Sequence, residues 1–356
     1  MKVLHLISGG ETGGSRKHVI TLLEQFEPSE VTLAVFQEGS LAEEARAAGI
    51  RTELFAQKSR YDLSVLKRLA NFIQAEQFDI LHSHGPRANL FGIYLKKKTG
   101  IRWVTTVHSD PALDFVKGGV KGTIFTKLSM YAIRQMDHYF AVSDRFKQNL
   151  VSLGISAGKV QTVYNGIHFT EEPAESALLH VPDHAFVIAM VARLHPIKGH
   201  EIVFDALRQL EMKPHVLLIG DGPIEDELHA KAQDLREHVH FLGFRKDVAN
   251  IYAASDVALL ASYSESFPLA LLEAANERIP LISTDVGGVG ELITPGETGW
   301  IIPTGDAHAL AAAIRGAMQA DVKLMGEKLY EHASNNFSLD QLHKATKEVY
   351  VKIASR

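Results

Sequence analysis

The chain has 356 residues, 46% of them apolar and 22% charged, and it contains no cysteine. Disulfide scaffolds, thiolate metal sites and cysteine nucleophiles are excluded, and a composition this close to the globular average excludes a disordered or collagen-like chain. At roughly 150 residues per domain the length predicts two domains. The net charge of −5 is unevenly spread: residues 1–170 carry 21 lysines and arginines against 15 acidic residues, and the remainder carries 16 against 27.

The run Val3–Ile7 follows a single lysine and is too short for a signal-peptide core, so it reads as a first strand. No apolar stretch approaches the roughly 18 residues that cross a bilayer, and a cytoplasmic protein is the expectation. Short β-rich runs then alternate with helix-period segments along the whole chain. The predicted strands are 31–36, 80–83, 103–107, 139–142 and 160–164, then 186–192, 215–219, 239–242, 257–261, 281–284 and 299–302. That rhythm predicts an α/β protein with parallel sheets covered by helices on both faces. The seam is expected at 165–183, which holds Gly166, Pro173, Pro182 and an acidic trio without strand period. The last segment, 339–353, has apolar residues at helical spacing and is expected to close the structure as a helix.

Several loops between these elements carry chemistry. After the first strand comes Ser8-Gly9-Gly10-Glu11-Thr12-Gly13-Gly14-Ser15-Arg16, ahead of the amphipathic run 18–26. Glycines there let backbone N–H groups approach a phosphate at a helix N-terminus, although neither Gly-x-Gly-x-x-Gly nor a Gly-Lys-Ser/Thr loop fits the spacing. A plain flexible turn is the alternative. His82-Ser83-His84 places two imidazoles on one face of a strand, a metal pair lacking a third ligand at any recognisable spacing. His108 follows another strand and could meet a sugar hydroxyl or simply be a buried, satisfied histidine. The stretch 115–136 mixes Lys117, Lys121, Lys127 and Arg134 with apolar residues, which suits either an ordinary surface helix or contact with an anionic membrane.

In the second half, Arg193 and Lys198 follow the apolar strand 186–192 and lead into a helix around 202–210. Two cations at a helix start oppose its dipole, which favours a pyrophosphate between them over an idle solvated pair. Gly220-Asp221-Gly222-Pro223 and Gly243-Phe244-Arg245 close neighbouring strands and could line a nucleoside pocket or merely turn the chain. Next comes Glu265-Ser266-Phe267-Pro268-Leu269-Ala270-Leu271-Leu272-Glu273, where Pro268 suits the first turn of a helix and Glu273 interrupts an apolar run. Its first-turn N–H groups would be free for a phosphate, with a carboxylate on either side.

Together these motifs resemble the family 4 glycosyltransferases, from the Gly13-Gly14 loop through Arg193, Lys198 and the Glu265 to Glu273 segment to Thr298-Gly299-Trp300. The resemblance implies the GT-B architecture, two doubly wound Rossmann-like domains facing across a cleft. It further implies an acceptor-binding domain over 1–168, a hinge over 169–183, a nucleotide-sugar-binding domain over 184–336, and a helix over 337–356 packing back on the first domain. The implied activity is retaining transfer of a sugar from a nucleotide sugar, with uridine the commonest carrier. The acceptor would be a carbohydrate, a lipid-linked glycan or a small molecule. The implied catalytic set is His108, Glu265, Arg193 and Lys198. Gly13, Gly14, Gly222, Phe244, Phe267, Pro268, Leu269, Ala270 and Glu273 would join the last three in binding the donor. Arg16 and His18 would meet the acceptor. The nucleotide sugar is a co-substrate, so no cofactor is implied, and without an Asp-x-Asp no metal is implied. The protein is expected to be cytoplasmic with peripheral contact to the inner membrane face through the first domain, and no nucleic-acid partner fits a net acidic chain. Alternatives on the same plan are a sugar-nucleotide epimerase or isomerase and a non-catalytic sugar-nucleotide binder; a nicotinamide dehydrogenase is weakened by the missing glycine fingerprint.

Overall fold

The computed structural model describes residues 1–10, 14–57, 62–108, 119–177, 181–182 and 184–355. They form two compact units, Met1–Gly166 with Leu339–Arg356, and Ile167–Ser338.

The N-terminal unit contains β1 (Val3–Ile7), β2 (Val31–Val35), β3 (Thr52–Leu54), β4 (Ile80–His84), β5 (Arg102–Val107), β6 (His138–Ala141) and β7 (Val160–Thr162). These pair in parallel in the order β3-β2-β1-β4-β5-β6-β7. The three residues of β3 are half-exposed and lack an apolar run, so the sequence pattern gave no sign of this edge strand. Parallel strands need crossovers, and helices such as Ser64–Glu76 and Gly85–Thr99 supply them. Within the second of these, Gly92 lets Trp103 pack against the helix; a Cβ there would stand 2.3 Å from the indole. The closing helix Leu339–Ala354 belongs to this unit and buries Leu342, Val349, Tyr350 and Ile353 in its core. Burial of each large apolar side chain of this kind is worth roughly 1.5–3 kcal/mol, which fixes the helix on the sheet.

The C-terminal unit contains β8 (Val187–Val191), β9 (His215–Ile219), β10 (Val239–Gly243), β11 (Val257–Leu260), β12 (Leu281–Thr284) and β13 (Gly299–Ile302). Their parallel order is β10-β9-β8-β11-β12-β13. One side of the sheet buries Val203, Phe204 and Leu207 of the helix His200–Arg208 and Leu310 and Ile314 of the helix Ala307–Ala317. The segment expected as a hinge is tied to this unit where it is described. Thr170 N–H donates to Asn276 Oδ1 at 2.8 Å, Ala174 N–H to Glu277 Oε2 at 2.7 Å and Ala177 N–H to the Asn250 carbonyl at 2.9 Å.

In each unit the strand order reverses once, between β1 and β4 and between β8 and β11. Loops leaving the two central strands at such a point diverge to opposite faces of the sheet, and the crevice beyond their carboxyl ends is where ligands of open α/β sheets bind.

Candidate active site

The C-terminal switch point is built by the loops that follow β8 and β11. The first carries exposed Arg193 and then a short 3-10 turn, Pro196–Lys198, stopped by Gly199 at φ 70°. A Cβ on Gly199 would lie 2.1 Å from the Ala261 carbonyl, and Tyr263 N–H donates to the Ile197 carbonyl at 2.8 Å, so the two loops are knitted backbone to backbone. This places Lys198 Nζ 2.5 Å from Glu265 Oε1, with the two side chains 24% and 14% exposed. Ser262 Oγ donates to the same carboxylate oxygen at 2.6 Å. Oε2 accepts no hydrogen bond among the described residues and is open to a ligand.

Beside this pair, burial and then the Lys198 charge lower the His200 pKa to about 4, so that imidazole is neutral. The helix Leu269–Asn276 follows, with Pro268 at its N-cap position, one residue before the first turn where the sequence placed it. Leu271 N–H donates to the Pro268 carbonyl, while the N–H groups of Leu269 and Ala270 are first-turn donors that the helix itself cannot satisfy. Phe267 is buried under the turn. Glu273 is half-buried on the same helix, and its charge adds to burial in raising the Tyr252 phenol above its ordinary range.

Two glycines of this region act on the backbone. A Cβ on Gly222 would stand 2.1 Å from the Leu194 carbonyl, so this residue is needed for the loop to close against the one carrying Arg193 and Lys198. Gly287 has φ 52°, and a Cβ there would meet the Ser266 carbonyl at 2.2 Å, while Gly288 N–H donates to that carbonyl at 3.0 Å. Sequence reasoning missed Gly287 and Gly288; the pair Gly-Gly two residues beyond the end of a strand was the available signal. Phe244 is 69% exposed just past β10, at the sheet edge. The structure thus brings Lys198, Glu265 and the first turn of the helix Leu269–Asn276 into one cluster, but nothing packs Phe244 into it.

The N-terminal switch point carries the second cluster. Gly13 lies outside the described residues, and Gly14 opens the helix Gly14–Leu23. Arg16 pairs with Glu44 at 3.1 Å, so its guanidinium is already engaged. His18 is 3% exposed, and its ring centroid is 4.8 Å from that of His108, the residue after β5. Burial lowers the His18 pKa to about 4, opposed by the Asn165 side chain. Burial and then the His18 ring hold His108 well below the ordinary histidine range.

Strand pairing also supplies the third imidazole that the sequence could not locate for His82 and His84. His5 of β1 sits opposite His82 in register, and ligand atoms of the three buried rings all lie within 4.8 Å of one another. The rings nevertheless stack, His82 on His84 at 4.4 Å and 18°, and His5 on His84 at 5.3 Å and 16°. Lone pairs lie in the ring planes, so stacked rings do not aim them at one point. His82 in addition uses both nitrogens in hydrogen bonds, to Tyr350 and Thr106.

Comparison with known proteins gives the family and the fold. The profile described as Glycosyltransferase Family 4 matches residues 12–171, and that described as Glycosyl transferases group 1 matches residues 185–320. The chain is 29% identical over 315 residues to N-acetyl-alpha-D-glucosaminyl L-malate synthase of Bacillus anthracis, covering 82% of this chain and 80% of that protein. It is 24% identical over 308 residues to the UDP-Gal:alpha-D-GlcNAc-diphosphoundecaprenol alpha-1,3-galactosyltransferase of Escherichia coli, covering 82% and 79%. The fold matches the Anabaena protein HepE, crystallised in complex with UDP-glucose, with a TM-score of 0.84 at 20% identity over 99% of this chain and 100% of that one. The two profiles together span most of both units, and the chain belongs to the family 4 glycosyltransferases with the GT-B architecture.

Proposed function

We propose that the protein is a retaining glycosyltransferase that moves a hexosyl group from a UDP-sugar to a carbohydrate, lipid-linked or small-molecule acceptor. The observation that carries this reading is the Lys198–Glu265 pair at the C-terminal switch point, beside the first-turn N–H groups of Leu269 and Ala270 that their helix leaves free. Cleavage of the bond between the anomeric carbon and the phosphate oxygen leaves UDP with the bonding electron pair. Arg193, Lys198 and the N–H groups of Leu269 and Ala270 stabilise that growing charge more than they stabilise the bound donor. Glu265 Oε2 accepts a hydroxyl of the transferred sugar, and Glu273 holds the ribose. The acceptor oxygen bonds to the anomeric carbon on the face that UDP leaves, and its proton passes to the departing phosphate. Two cationic side chains and two backbone N–H donors do the neutralising that a divalent cation does elsewhere, so the transfer needs no metal.

The names of the relatives support the donor and acceptor classes: one is a UDP-Gal:alpha-D-GlcNAc-diphosphoundecaprenol alpha-1,3-galactosyltransferase, another an N-acetyl-alpha-D-glucosaminyl L-malate synthase. An epimerase or isomerase does not share that class of activity. No helix among the described residues is long and apolar enough to cross a membrane. The helix Gly119–Ile133 exposes Leu128 and Tyr131 next to Lys127, with Arg134 just beyond it, which supports peripheral contact with an anionic membrane face.

The test is a melting-temperature panel of nucleotides and nucleotide sugars, followed by NMR assignment of the anomeric configuration of the product. A ligand at about 100 times its Kd adds roughly 2.7 kcal/mol to folding stability. Stabilisation by UDP-sugars and a product of donor configuration are expected; a panel with no stabilising nucleotide sugar, or an inverted product, refutes the reading.

A further inference from the structure

His5 and His82 are register partners on β1 and β4, and His84, two residues on, falls on the same face of the sheet. Over them lies Tyr350 of the closing helix, fully buried. The Tyr350 hydroxyl is 2.5 Å from His82 Nδ1 and 3.2 Å from His5 Nε2. A phenol has one proton to give, and hydrogen bonds donated by O–H are shorter than those donated by N–H. The shorter contact favours the order in which Tyr350 donates to His82 and accepts from His5.

The rest of the proton order follows. His82, accepting at Nδ1, carries its proton on Nε2 and donates to Thr106 Oγ1 at 2.7 Å. His5, protonated on Nε2, has a bare Nδ1, which accepts from His84 Nε2–H at 3.0 Å. His84 is left with a bare Nδ1. That atom is buried and has no partner among the described residues, and the same holds for His108 Nε2. The His84 and His108 rings lie 6.0 Å apart, with His18 4.8 Å from His108. Were Tyr350 to donate to His5 instead, every proton in the chain would reverse and His84 Nδ1 would become a donor. A lone pair buried without a donor is costly, and a ligand hydroxyl would satisfy it.

We propose that Tyr350 is a positioning residue: acting through His5, its hydroxyl fixes His84 in the Nε2–H form, so that His84 Nδ1 presents a lone pair beside His108 to a hydroxyl of the bound substrate. The substrate part rests on the glycosyltransferase reading; the proton order does not.

The experiment is long-range 15N NMR of the full-length protein labelled at histidine, with His84 and His5 assigned through His84→Gln and His5→Gln. Wild-type His5 and His84 are expected as Nε2–H forms, and Tyr350→Phe is expected to convert His84 to a mixture of the two forms. A wild-type His84 carrying its proton on Nδ1, or a His84 form unchanged in a folded Tyr350→Phe, overturns the proton order without bearing on the transferase activity. The wild-type measurement stands alone if Tyr350→Phe does not fold. With the UDP-sugar that the melting panel selects, Tyr350→Phe is expected to lower kcat by about tenfold, the worth of one hydrogen bond, with donor KM retained. Unchanged kcat in a variant whose His84 form has shifted overturns the substrate part.

Discussion

The buried histidines of the N-terminal unit make its stability steeply dependent on acid. His5 is lowered to about 3 and His18 to about 4, and His82, His84 and His108 are all held well below the ordinary value, in every case first by burial. In the unfolded chain each titrates near 6.5. Above that pH both states are neutral and the stability is fully present. As pH falls below 6.5 the unfolded chain takes up protons that the folded unit refuses, and stability is lost down to the folded values. At pH 5.5 each refused proton favours unfolding by about 1 kcal/mol, and the five together by several kcal/mol, comparable with the roughly 5–15 kcal/mol that holds a domain folded. The C-terminal unit carries fewer such groups, His200 at about 4 and the partly exposed His215 and His240, both lowered. Hydrogen exchange followed by mass spectrometry, corrected for the intrinsic pH dependence of exchange, should show protection in β1, β4 and β5 collapsing between pH 6.5 and 5 while β8, β9 and β11 stay protected. Equal protection of β1 and β4 at pH 7.5 and 5.5 refutes the reasoning.

Other substitutions probe particular contacts. Gly222→Ala puts a Cβ 2.1 Å from the Leu194 carbonyl, a backbone atom that cannot rotate away, and should cost about 3 kcal/mol in denaturant titration. Gly92→Ala meets the Trp103 ring at 2.3 Å and should cost about 1–3 kcal/mol by overpacking. Glu265→Gln keeps the shape of the Lys198 contact but not its charge; turnover should fall by about 100-fold or more with little change in melting temperature. Excess EDTA should leave the transfer rate unchanged, and a rate restored only by added Mg2+ or Mn2+ would contradict the neutralising role given to Arg193 and Lys198.

Most of the sheet framework was legible because parallel strands covered on both faces are apolar throughout, as in Val187–Val191, and because amphipathic helices intervene, as in Ser64–Glu76 and His200–Arg208. Edge strand β3 was not, being short and half-exposed. In the site, Lys198 and Glu265 were legible singly from loop chemistry, but their contact depends on the backbone of Gly199 meeting Ala261, a long-range fact with no local trace. Gly222 reads from its position as either a pocket-lining residue or a tight turn, and the steric demand of the Leu194 backbone shows its structural duty. Arg16 reads as a surface cation near the acceptor, and only the fold reveals Glu44 beside it. His5 carried no sequence signal: a lone histidine in an apolar strand joins His82 and His84 only through the pairing of β1 with β4.

Calorimetric titration of UDP into the wild-type protein and into Arg193→Ala and Lys198→Ala tests the charge-neutralising grip on the diphosphate most directly. Each lost charged hydrogen bond is worth about 1.5–3 kcal/mol, so Kd should rise by about tenfold or more in each variant. UDP bound with the same Kd by all three proteins would contradict the account.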